Sequence, residues 1–298
     1  MDNNVDNTQP NATMPNIHFV FVCAATVNNM FNSPLISTKC NVELQIKHPN
    51  GVWCANSNYR IPMDNSKHKN QPALKVVLIG TGVECSVVST AQTGWSISVH
   101  GDKLNIQPSA QDSVGHGTDL ALCLMQESPN AQLIGIDIFN GQGKTTSTLL
   151  LKALEKALDL KCDVIVVCVH SFNESKGPRF SKICSYADRN GISIIASAVL
   201  ESSSYPSKIE TVFGCLSHAD CRERMYVYEP NFFDDGHPHR GLFVLNGWWQ
   251  GRYWGSEIAT VRLAAEVTRL LEVGTPYSLL ADRLSLQTFV PFSEFGFA

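Results

Sequence analysis

The sequence predicts an α/β protein: three layers, with a mainly parallel central sheet, helices on both faces and a β-rich N-terminal extension. Three observations carry this. From Pro72 onward, short uninterrupted apolar runs recur, at Lys75–Ile79, Leu133–Ile138, Val164–Val169 and Ile192–Ala198. A strand apolar on both faces is one covered on both faces, which is the condition of a parallel sheet. Stretches of helical character lie between and after these runs, at Asp119–Met125, Ser147–Leu158, Phe180–Arg189 and Ile258–Leu271; strands alternating with helices imply crossover connections. Finally, 298 residues that are 44% hydrophobic and 17% charged suffice to bury one large core.

Taken in order, residues 1–16 are rich in Asn, Asp, Thr and Pro, too polar to bury a core, and are expected to be disordered. Residues 17–72 form the β-rich extension. It opens with an apolar run to Val27, and Asn41–Lys47 then places Val42, Leu44 and Ile46 on one face. Pro49-Asn50-Gly51 reads as a turn before Val52-Trp53-Cys54, so a hairpin is expected. The polar stretch Asp64–Gln71 is a linker, residues 73–275 are the main domain, and 276–298 are a C-terminal tail.

Bulk chemistry narrows the function. The net charge is −4, from 23 basic and 27 acidic residues without a basic run, which argues against nucleic acid or an anionic membrane as partner. No stretch approaches the roughly 18 apolar residues of a membrane span. No basic lead precedes the first apolar run, so no secretory signal is read and a cytoplasmic location is expected. The ten cysteines show no C-x-x-C pair and several lie in apolar runs, where a reduced Cys packs as a small hydrophobe. No metal or cofactor is expected. His237-Pro-His239 lacks further ligands at metal spacing, and Gly141–Thr145 ends like a phosphate loop but has Ile138 where that loop requires Gly.

Four further segments carry the chemistry. They are KVVLIGTGV from Lys75 to Val83, the GHGT of Gly115–Thr118, DVIVVCVH from Asp163 to His170, and GSEIATVRLAA from Gly255 to Ala265. In this order they resemble the aspartate strand, histidine helix, cleft strand and nucleophile helix of the subtilisin-like serine proteases. Ile192–Ala198 and Tyr205-Pro206-Ser207 are similar to the strand and the Y-P-A between them. The resemblance implies that family's fold and a cleft at the strand ends, and it leaves open whether the N-terminal extension is an added module or a relic of an inhibitory propeptide.

The departures bear on activity. Gly80 stands where the family has its Asp, Glu257 where it has its nucleophilic Ser, and Leu200 where it has its oxyanion Asn; of the four, His116 alone is kept. Without the Asp nothing orients or stabilises the imidazole, and without a donor the developing oxyanion is unsupported. The expectation is a pseudoprotease that binds a peptide, protein or small molecule in the former cleft, lined by Cys168, His170, Trp248, Trp249, Trp254 and Ser256. An imidazolium–carboxylate pair of His116 and Glu257, with the His pKa raised, is expected. The alternative is a repurposed enzyme using these two as acid and base. A one-residue shift, giving a true protease with Ser256 as nucleophile, loses the matches at Ala259, Thr260, Leu263 and Ala264.

Overall fold

A computed structural model of the chain describes residues 47–48, 51–52, 72–101, 103–199, 204–218, 221, 226–229 and 240–286. Within the N-terminal extension it gives one antiparallel pair, β1 (Lys47–His48) with β2 (Gly51–Val52). Residues 1–16, the rest of the extension, His237 and His239, Leu200 and residues 287–298 lie outside the described residues.

The main domain runs β3 (Lys75–Gly80), β4 (Ala91–His100), β5 (Lys103–Ser109), α1 (His116–Glu127), β6 (Gln132–Asp137), α2 (Ser147–Asp159), β7 (Val164–Val167), α3 (Gly177–Arg189), β8 (Ser193–Ser197), β9 (Phe213–Ser217), β10 (Tyr226–Glu229), β11 (Leu242–Leu245), β12 (Trp248–Trp249), β13 (Arg252–Tyr253), α4 (Ser256–Glu272) and α5 (Leu280–Ser285). Nine strands form one sheet in the order β10-β11-β9-β8-β7-β3-β6-β4-β5. All neighbours are parallel except the outer pairs β10–β11 and β4–β5.

The apolar runs are central because nothing in them needs water: Val76 to Ile79 and Val164 to Val167 are each at most 1% exposed. Side chains alternate between two cores. Val76, Leu78, Val166 and Ile195 pack under α1 and α4, whereas Val77, Ile79, Ile165 and Ile194 pack under α2 and α3. This is the expected three-layer arrangement.

Two features differ from the sequence expectation. The hairpin β4–β5 was not foreseen, because as a sheet edge it carries polar and half-exposed residues instead of an apolar run. Its signal was the Gly101-Asp102 dipeptide, with Gly101 at φ 60° between paired His100 and Lys103. The segment after residue 275, expected as a tail, contributes α5, whose Leu280 and Leu284 are fully buried in the α1/α4 core.

Phe180 anchors the opposite layer. It is fully buried and stacks on Tyr205 with ring centroids 5.2 Å apart. Phe180→Ala is expected to cost about 3–5 kcal/mol of unfolding free energy, measured by urea denaturation.

Candidate functional site

The site begins where β3 ends. Thr81 follows Gly80, and its Oγ1 accepts a buried 2.8 Å hydrogen bond from the Gly117 N–H. A Cβ on Gly117 would lie 2.1 Å from the Gly82 carbonyl oxygen, so only glycine permits this approach of helix to strand end. Asp112 completes the junction. Its Oδ1 accepts from the Val114 and Gly115 N–H groups, and its Oδ2 accepts from the Thr118 N–H and hydroxyl. These satisfy donors that the start of α1 would otherwise leave unmatched. His116, the first residue of α1, is thereby fixed above the carboxyl ends of the strands.

Strand register sets a row beneath it. Gly80 pairs with Asp137 of β6. Cys168 extends β7 beside β3, donating its N–H to the Ile79 carbonyl. The β7–β8 register, continued by one residue, brings Cys168 beside Ser197, which pairs with Cys215 of β9. Asp137, Gly80, Cys168, Ser197 and Cys215 thus follow one another at about 4.8 Å per strand. All share the α1/α4 face, since Leu78, Val166, Ile195, Cys168 and Cys215 pack in that core. Cys168, expected to line the cleft, is 3% exposed and packs in that core instead, where burial drives its thiol pKa far up. A Cβ on Gly80 would meet nothing within 4 Å, so the position where the resemblance calls for an aspartate opens onto free space.

Asp137 lies at the end of β6, 8% exposed, and its Oδ1 accepts from the Phe139 and Asn140 N–H groups. Burial raises its carboxyl pKa against those two bonds. Nothing in the local sequence marked Asp137, Asp112 or Ser197. Their roles come from register and from a loop that folds back on α1.

The aromatic cluster forms one wall. Trp254 lies 5.5 Å from the His116 ring, tilted by 30°, and 6.1 Å from Trp249. β12 and β13 form a small hairpin turning at Gln250 and Gly251, both of positive φ. Arg262 of α4 anchors its base by donating to the Asn246 carbonyl and side-chain oxygens at 3.1 and 3.2 Å, and Asn246 Oδ1 accepts from the Trp248 N–H. Trp249 is buried, whereas Trp248 is 44% exposed at the rim. His170 is half-buried and meets Phe172 edge-on at 5.1 Å; burial lowers its pKa.

Glu257 sits in the first turn of α4, half-buried as a residue but with its carboxyl enclosed by neighbouring atoms. The carboxyl folds back over Gly255, whose Cβ would lie 3.5 Å from Oε2, and it is near enough to Cys168 to raise that thiol further. Burial pushes the Glu257 pKa up to about 7, opposed by a bond from its own N–H. The expected rise in the His116 pKa is corrected here. Burial lowers it, with Asp112 and Asp119 the charges that oppose the shift, so the ring is held toward its neutral form. Ser256 Oγ accepts from the Ser217 N–H at 3.3 Å. The structure therefore assembles Gly80, His116, Cys168, Trp254, Ser256 and Glu257 around the strand ends, while Leu200 lies outside the described residues.

The chain is similar in fold to a cold adapted subtilisin-like serine proteinase, at 17% identity and a TM-score of 0.54 over 72% of this chain and 81% of that one. It is similar also to a lanthipeptide protease, at 14% identity and 0.54 over 71% and 79%. An epidermin leader peptide processing serine protease from Staphylococcus aureus gives 15% and 0.55 over 77% and 74%. No family model and no curated protein matches the chain. The fold is that of the subtilisin-like serine proteases.

Because Glu257 binds its proton more tightly when folded, its stabilising contribution is complete below the ordinary pKa of 4.5 and is lost as pH rises through about 7. Glu257→Gln is expected to lessen the fall in unfolding free energy between ~pH 5 and ~pH 8 by roughly 2–3 kcal/mol, read from urea curves at both values.

Proposed function

We propose that this protein is a non-proteolytic member of the subtilisin-like architecture that binds a ligand in the cleft at the carboxyl ends of its strands. The observation that carries this reading is Gly80. At the end of β3, beside the His116 helix, a bare glycine faces open space, so no side chain from this position reaches the imidazole. Serine protease chemistry needs an oriented imidazole that can take a proton, and a buried His116 of lowered pKa is a poorer base. Glu257, at the position aligned with the nucleophile, carries a carboxyl that does not form the acyl-enzyme of a peptidase. Ser256 is no substitute, since among the described residues no hydrogen bond joins it to His116 and its Oγ accepts from Ser217. The lanthipeptide and epidermin leader neighbours are proteases of peptides by their descriptions, which favours an extended peptide as the class of ligand.

A second reading has its own support. Burial raises the Glu257 pKa to about 7, so this carboxyl can give and take a proton near neutral pH, while His116 beside the strand ends is held toward its neutral form. Two such groups suit acid–base work on a non-peptide or modified-peptide substrate.

Incubation with unfolded casein and a peptide library, followed by mass spectrometry, is expected to show no cleavage that depends on His116. Cleavage abolished by His116→Ala would overturn the proposal. Turnover of another substrate, lost in both His116→Ala and Glu257→Gln, would establish the second reading. Gly80→Ala is expected to fold with an unchanged melting temperature, read by thermal denaturation, because the added Cβ meets nothing within 4 Å.

A further inference from the structure

The β4–β5 hairpin leaves one edge of the sheet open. β5 is the last strand in the order, and among the described residues nothing pairs with its outer side. Pro108 fixes which backbone groups point outward. It has no N–H to give β4, and a proline within a paired strand turns its nitrogen to the free edge. Backbone direction alternates along an unbroken register, so Leu104 and Ile106 turn their N–H and carbonyl groups outward too, while Asn105 and Gln107 bond to β4. The side chains are equally one-sided. Trp95, Ile97 and Val99 of β4 stand opposite Pro108, Ile106 and Leu104, and all six share one face. Ile97 lies in the α2/α3 core, and the Lys156 ammonium of α2 covers the Trp95 ring at 3.5 Å. Beyond them the cover ends: Val99, Leu104 and Ile106 are 48%, 41% and 40% exposed. An open strand edge beside uncovered apolar side chains is a template for a further strand.

We propose that residues 41–46 of this chain cover the edge as that strand, antiparallel to β5, with Leu44 opposite Leu104 and Val42 opposite Ile106. The segment lies outside the described residues, and its sequence has the pattern the edge requires. Asn41, Glu43 and Gln45 alternate with Val42, Leu44 and Ile46, as Lys103, Asn105 and Gln107 alternate with Leu104, Ile106 and Pro108. It runs directly into β1 at Lys47. In this register the outward groups of Leu104 and Ile106 are all bonded, and Pro108 is asked for no N–H. Glu43, the segment's one acid, comes diagonally beside Lys103, the one charge on β5. The register that pairs Leu44 with Ile106 instead sets Lys47 opposite Lys103, which like charges oppose. The tether reaches. The added strand lies four strand spacings from β3, and the tip of the hairpin is roughly 36 Å from Lys75 by strand spacing and rise. The residues between Lys47 and Lys75 extend to about 90 Å. Covalent attachment makes the pairing intramolecular, which favours this segment over a second copy.

Hydrogen exchange of the full chain, followed amide by amide by NMR, tests this. Leu104 and Ile106 are expected to exchange slowly, and Leu44→Asp is expected to speed both by about tenfold or more. Asn105 and Gln107, bonded to β4, are expected to change little, and the melting transition is expected to remain. Should Leu44→Asp not fold, Leu44→Ser decides in its place. Rapid exchange at Leu104 and Ile106 in the unaltered chain overturns the proposal, because the edge is then open. Protection that survives the substitution and falls on dilution assigns the edge to a second copy. Protection that survives both assigns it to another segment, and each of these results overturns the proposal. Equal acceleration at all four amides shows β5 itself coming loose and likewise overturns it.

Discussion

The buried hydrogen bond from the Gly117 N–H to Thr81 Oγ1 fixes the geometry on which the rest of the site depends. It joins the end of a central strand to the first turn of α1, and the contact exists because residues 82 and 117 both lack a Cβ. At Gly82 the backbone has φ +96° and the Gln111 carbonyl would lie 2.5 Å from an added Cβ; at Gly117 the Gly82 carbonyl is closer still. Asp112 then binds four donors around the helix start and leaves it little freedom to pivot. His116 occupies its place over the strand ends as a consequence of these contacts, independently of whether it performs chemistry.

The scaffold places the imidazole firmly beside a glycine whose Cβ position is open, and neither feature depends on the other. The parallel register Asp137–Gly80–Cys168–Ser197–Cys215 is set by backbone pairing and by the two apolar cores, not by the side chains at the strand ends. Those ends are free to vary, which is why ligands in open α/β sheets gather there. Here Asp137 and Glu257 carry buried carboxyl groups, and His116 and His170 are imidazoles that burial holds toward their neutral form. Burial sets the direction of the shift in each: it opposes charge on Glu257 and Asp137 and opposes charge on His116 and His170.

The central strands were legible because a strand covered on both faces must be apolar throughout, and Val76–Ile79 and Val164–Val167 contain nothing else. The helices were legible from their sided pattern, and their observed ends differ by only a few residues, as at α3, where the 3-10 turn at Glu174–Lys176 leads into Gly177 and Pro178. The edge hairpin was not legible, since β5 mixes polar and apolar side chains in keeping with its exposed position. Of the site, the GHGT and GSEIAT motifs located His116 and Glu257. Asp137 and Ser197 are ordinary residues at the ends of apolar runs, and strand pairing alone gives them neighbours.

Sequence by itself determined the layer architecture, the order of its elements and the motifs that stand at the starts of α1 and α4. A pattern of apolar and polar residues fixes what must be buried, and a motif fixes which side chain stands at which turn. Tertiary structure alone decided that Gly80 faces free space, that Trp254 covers His116, and that Glu257 is enclosed beside Cys168 with its pKa near 7. Those properties depend on the distance and desolvation among segments far apart in the chain, and the free energy of an ionisable group is set by what surrounds it in space.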